Sequence, residues 1–121
     1  LAVDQPDEEF FTFSHPKWGI RAAAKVLQTY QEHYGLRTLA KIIDRWAPPI
    51  ENDTASYITA VSIWSGIEAD EPIDVTDYDT ALNLLKAMAR MENGKPPKDR
   101  PDAWYSDEVY ESGLRLAGVS P

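Results

Sequence analysis

The stretch Asp77-Tyr78-Asp79-Thr80-Ala81-Leu82-Asn83-Leu84-Leu85-Lys86-Ala87-Met88-Ala89-Arg90-Met91-Glu92-Asn93-Gly94 decides the fold class of this sequence. Ala81, Leu85 and Met88 recur at the spacing of one helix face, and strand alternation is absent. A helix is therefore expected from about Asp77 to Asn93, with Gly94 as its stop. Glu92 falls on the same stripe, seven positions after Leu85 and so within about 20° of it around the axis. Apolar surroundings and the negative end of a helix are a setting in which a carboxyl keeps its proton, as a general acid must.

Working towards the N-terminus, the same punctuation recurs. Asn52 or Asp53 is expected to cap a helix to about Ser65, with Tyr57, Val61 and Trp64 inward and Gly66 as the stop. Before it, a helix from about Thr38 to Ala47 carries Leu39, Ile42, Ile43 and Trp46 and is ended by Pro48-Pro49. The first helix is expected from about Pro16 to Tyr34, capped by Ser14 and stopped by Gly35. Its buried stripe reads Ile20, Ala23, Leu27, Tyr30 and Tyr34. Phe10, Phe11 and Phe13 suit one short extended segment, and the acidic residues 1–9 read as a lead-in or tail. Towards the C-terminus, a loop bearing Pro96, Pro97 and Pro101 precedes a last helix from near Ser106 that fades near Gly118. The expectation is a mainly α bundle of about five helices, with residues 10–121 as a single helical domain.

Composition narrows the function. A chain of 121 residues fits one domain. Its net charge of −8 disfavours nucleic acid, whose binding needs cationic contacts to phosphates. The absence of cysteine removes thiolate metal sites and a cysteine nucleophile. No apolar run is long enough for a transmembrane helix, so membrane insertion is not expected. His15 and His33 lie at opposite ends of the first helix and cannot share a metal, and the scattered glycines make no phosphate loop. No metal and no cofactor are expected.

Two constellations remain beside Glu92. Glu51-Asn52-Asp53-Thr54 follows a stiff Pro48-Pro49 turn and reads either as a helix cap or as a partner to Glu92 across a cleft. Glycoside cleavage uses such a pairing, one group protonating the leaving oxygen and the other stabilising or attacking the sugar cation. Trp46, in Arg45-Trp46-Ala47-Pro48-Pro49, reads as core packing or as a stacking shelf for a sugar. Arg21 and Arg45 are candidates for bidentate pairing with carboxylates.

Gly19-Ile20-Arg21-Ala22, Tyr30, Gly35-Leu36, Ile42-Ile43, Arg45 to Pro49, Glu51 to Thr54, Tyr57 and Glu92-Asn93-Gly94 together resemble a family encoded by tailed phages and prophages. Its members are labelled virion structural proteins. The segment from Ala87 to Gly94 is also similar to the helix end that carries the catalytic glutamate of lytic transglycosylases. These resemblances imply a lysozyme-like fold and a particle-associated protein that cleaves peptidoglycan glycan strands during entry or release. They imply contact with other virion proteins, residence in the bacterial cytoplasm during assembly, and action at the cell envelope. They place Glu92 as general acid and base; the reading of the residues adds Glu51 and Asp53 as candidate catalytic partners and Asn52, Trp46, Tyr57 and Asn93 as candidate substrate-binding residues. The alternative they allow is a non-catalytic structural or assembly protein of the virion. The family's upstream Asn-Asn-Pro-Gly-Asn segment, expected to line the cleft, does not occur in this sequence.

Overall fold

Each helix begins where a short polar side chain takes over the duty of the missing carbonyls. Thr38, Asp53, Asp77 and Ser106 accept from the backbone N–H three residues on, opening α2 (Leu39–Trp46), α3 (Thr54–Ser65), α4 (Tyr78–Asn93) and α5 (Asp107–Leu116). The first helix, α1 (Pro16–Tyr34), departs from expectation: His15 is its cap, with Nδ1 accepting from Lys17 N at 3.1 Å. Pro16 follows with a φ already suited to a helix. Gly35 and Gly66 end α1 and α3 in the left-handed conformation that glycine adopts without a Cβ penalty.

The computed structural model describes residues 15–94 and 104–121. The lead-in, Ser14, the phenylalanine segment and the prolines at 96, 97 and 101 lie outside the described residues. Among the described residues there is no strand; an isolated bridge pairs Thr38 with Pro72.

One core gathers the apolar faces. It contains Ile20 and Leu27 from α1, Leu39, Ile42 and Ile43 from α2, and Val61 from α3. Leu84, Leu85 and Met88 come from α4, and Tyr110 and Leu114 from α5. Helix α4 is buried well beyond a single stripe, through Ala81, Leu84, Leu85, Ala87, Met88 and Ala89, because α3, α5 and α1 all pack on it. Helices α1 and α5 approach closely at Gly113, where an added Cβ would stand 2.5 Å from the Cβ of Ile20.

Between α3 and α4 the chain is held by polar contacts that no periodicity announces. Gln31 is buried in α1 and donates to Leu36 O and Ile73 O, each at 2.9 Å, while accepting from Val75 N at 2.9 Å. Ile73 N donates to Arg37 O at 2.7 Å and Ala40 N to Ala69 O at 2.9 Å. This loop is thereby anchored to the α1–α2 junction.

Two inward assignments are corrected. Tyr34 is 53% exposed and Trp64 40% exposed. Both sit at the end of a helix, where the stripe runs past the neighbouring helices, and an arginine covers each ring.

Candidate functional site

Glu92 ends α4 on the side that meets α2 and α3. Its Oε2 accepts from the Tyr57 hydroxyl at 2.6 Å, and the Trp46 indole Nε1 lies 3.5 Å from the same oxygen. The indole N–H donates to the Tyr57 oxygen at 3.1 Å, so the bonds run in order from indole to phenol to carboxyl. Such a chain polarises each member and holds the last acceptor in a defined place. Glu92 is half-buried rather than enclosed, because it lies on the last turn of α4, where the stripe outruns the core.

The positions of Trp46 and Tyr57 follow from their local sequence. Trp46 is the last residue of α2, and Ala47 N closes that helix on Ile43 O at 2.7 Å. Pro48 then turns the chain, and the Thr54 hydroxyl donates back to Ala47 O at 2.5 Å. Both ends of this turn are tied, so the start of α3 is held against the end of α2. Tyr57, one turn into α3, is buried and aims its hydroxyl at Glu92.

The remaining expected site residues divide. Asp53 serves as the α3 cap, and the hydroxyl and backbone N–H of Ser56 hold its carboxyl below the ordinary aspartate range. Glu51 is exposed, and its backbone N–H closes the turn on Pro48 O at 3.1 Å. Asn52 folds back onto Pro48 O at 3.2 Å. Asn93 is half-buried at the last position of α4. The structure joins Trp46, Tyr57 and Glu92 by hydrogen bonds, and Asp53 caps α3.

Trp104 was not singled out by sequence. Its indole N–H donates to Gly94 O at 2.8 Å, which brings an aromatic side chain to the carbonyl two residues after Glu92. The contact closes across ten residues, a separation no local pattern reads. Arg21 is exposed. The guanidinium of Arg45 lies over Tyr34, 3.7 Å from the ring centroid, and 5.5 Å from that of Tyr30.

An open groove of about 860 Å³ runs along α2. Leu36, Pro48 and Ile58 supply apolar walls, Tyr30 an aromatic one, and Lys41, Asp44 and Arg45 a charged edge. Glu92, Trp46 and Tyr57 do not line it. Among the described residues no group of His, Asp and Glu could hold a metal ion, and no helix is long and apolar enough to cross a membrane.

No family model matches the chain. Over 97 residues, 80% of its length, it is 42% identical to protein P5 of Pseudoalteromonas phage PM2. The matched region spans 57% of that protein, so the chain covers little more than half of the relative's length. The chain is therefore similar to a phage protein over most of its residues.

Proposed function

We propose that this chain is a domain of a phage particle-associated protein that cleaves the glycan strands of peptidoglycan, with Glu92 as general acid and base. The carrying observation is the half-buried Glu92 carboxyl at a helix end, with Oε2 oriented by the Tyr57 hydroxyl at 2.6 Å. Similarity to a phage protein supports the particle context. In this reading Oε1 carries the proton. It passes to the glycosidic oxygen as the C1–O bond breaks, and the leaving sugar departs as an alcohol. The carboxylate then removes a proton from an incoming hydroxyl, which bonds to C1 and restores the acid. In this reading one carboxyl carries both proton transfers. Tyr57 and Trp46 are positioning residues: they fix the orientation of Glu92 without touching the reacting bond.

The test is turnover of purified peptidoglycan by the parent and by Glu92→Gln, which keeps size and most hydrogen bonding. Loss of at least about 10²-fold with an unchanged melting curve is expected. Retained turnover in the variant removes Glu92 from the mechanism, and a parent without turnover removes the activity.

A second reading has its own observation. Tyr57 is buried and its hydroxyl needs an acceptor, so the Trp46–Tyr57–Glu92 chain also braces α2, α3 and α4. In a purely structural virion protein that brace is its whole purpose. Glu92→Gln then lowers stability, and neither protein degrades peptidoglycan.

A further inference from the structure

We propose that the outward face of α3 is a contact surface for a second copy of this chain, paired antiparallel about a twofold axis near Thr59 and Ala60. The composition of α3 is the first observation. Its 12 residues, Thr54–Ser65, carry no charge in a chain that is 26% charged. Thr54, Tyr57 and Val61 are buried, yet Ile63 is 72% exposed and Trp64 40% exposed on the same helix. A helix without a charged side is the kind that proteins cover all round. The other short helices show the contrast. Lys41, Asp44 and Arg45 are exposed on α2, and Asp107, Glu108 and Arg115 on α5.

Shape points to the occupant. Ala55, Ser56, Thr59, Ala60, Ile63 and Trp64 line one shallow hollow of about 420 Å³. The two large side chains stand at its C-terminal end and the smaller ones towards its N-terminal end. Turned end for end, such a face fits itself. With the axis near Thr59 and Ala60, Ile63 of each copy meets Ser56 of the other and Trp64 meets Ala55, the reciprocity of a twofold contact. The two helix dipoles then run head to tail.

Charge agrees with the same register. Arg90 lies over the Trp64 ring, 4.4 Å from its centroid, at one end of the face. Glu51 and Asp53 are exposed at the other end, where Asp53 caps the helix. Glu68, Asp70 and Glu71 follow the Trp64 end on a loop that Ala40 N ties to the start of α2 through Ala69 O. The antiparallel arrangement brings Arg90 of each copy towards the capping acids of the other, whereas a parallel one sets like charge against like. Each copy carries −8, so approach is least opposed where no charge has to be desolvated. Size sets the strength. A helix of 12 residues is about 18 Å long, so the pair buries less than the roughly 1,600 Å² of a standard interface and the dimer is weak.

The experiment is sedimentation equilibrium of the full chain from about 10 µM to about 1 mM, with amide chemical shifts followed over the same range. A monomer–dimer equilibrium is expected, with the concentration-dependent shifts centred on residues 53–66. Ile63→Asp weakens it at least about tenfold, because the lost contact occurs twice. That side chain is exposed, so the melting curve stays that of the parent. Ala55→Glu fills the hollow and weakens the dimer likewise, and an acid in the first turn suits the helix dipole. The chain has no cysteine, so Thr59→Cys at the axis closes a disulfide between copies on oxidation, and Ser112→Cys on α5 does not. A parent that stays monomeric to the highest concentration overturns the proposal and leaves the face to a different protein. A dimer as tight in Ile63→Asp and Ala55→Glu as in the parent overturns it too. So does crosslinking through Thr59→Cys that is no better than through Ser112→Cys.

Discussion

Replacing Gly113 with alanine tests the close approach of α1 and α5. In an exposed helix interior the change gains about 1 kcal/mol, because alanine is the better helix former. At Gly113 the new Cβ meets Ile20 Cβ at 2.5 Å, Ile20 Cγ2 at 2.7 Å and Lys17 O at 2.8 Å. Carbon pairs rest at roughly 3.5–4.0 Å, so the mismatch is about 1 Å. None of these atoms can swing away. Lys17 O is backbone, and a helical isoleucine is stiff about χ1. Helix α5 must therefore lift from α1, loosening Tyr110 and Leu114 in the core. Overpacking costs about 1–3 kcal/mol, and a clash with fixed atoms belongs at the upper end. After the propensity gain, the net loss is about 2 kcal/mol, or roughly 1 M in urea midpoint at unchanged slope. Urea unfolding followed by far-UV circular dichroism measures it. Ser112→Ala, an exposed neighbour on the same helix, is the control and stays within about 0.5 kcal/mol of the parent. A Gly113→Ala protein as stable as that control would falsify the α1–α5 packing described here.

Three further outcomes are expected. Gln31→Leu leaves Leu36 O, Ile73 O and Val75 N without their side-chain partner; the buried Val75 N costs about 1–3 kcal/mol and the two part-buried carbonyls add less. Chemical denaturation reads it, and hydrogen exchange at the Val75 amide rises in step. Tyr57→Phe removes the short bond to Glu92 while keeping the buried ring; a peptidoglycan assay shows kcat falling by about tenfold or more with KM little changed, whereas a structural brace loses stability alone. The carboxyl of Asp53 is held below its ordinary range, first by the Ser56 hydroxyl and then by the Ser56 N–H. Its contribution is thus present above the unfolded aspartate value of about 3.9 and disappears as pH falls through the lower folded value, so the melting-temperature gap between parent and Asp53→Asn is widest near neutrality and closes in acid.

The helices were legible because their causes are local. Thr38, Asp53, Asp77 and Ser106 are short polar side chains at the start of apolar periods, and Gly35, Gly66 and Gly94 stand at the ends. His15 escaped notice as a cap because Ser14 is the commoner choice, and a ring nitrogen does the work when it reaches the amide two residues on. Tyr34 and Trp64 misled for another reason: spacing shows which way a side chain faces, but it says nothing of where the neighbouring helix stops. Glu92 was found by its place on the stripe of Leu85 and Met88, while the partners it would meet were open.

What the residue order determined alone is the mainly α class, the limits of the helices and the stripes that form the core. Periodicity and capping act within one or two turns, so the chain states them without reference to the rest of itself. Only the tertiary structure decided that Gln31 would anchor a loop from forty-two and forty-four residues away, that Gly113 would admit Ile20, and that Arg45 would lie on tyrosines. The same holds for Tyr57 as a hydrogen-bond donor to Glu92. A carboxylate one turn earlier was taken by Ser56, and the phenol at Tyr57 points across the α3–α4 seam. Contacts of that kind depend on which faces are turned together once the core has closed, and burial sets that geometry over distances no local pattern spans.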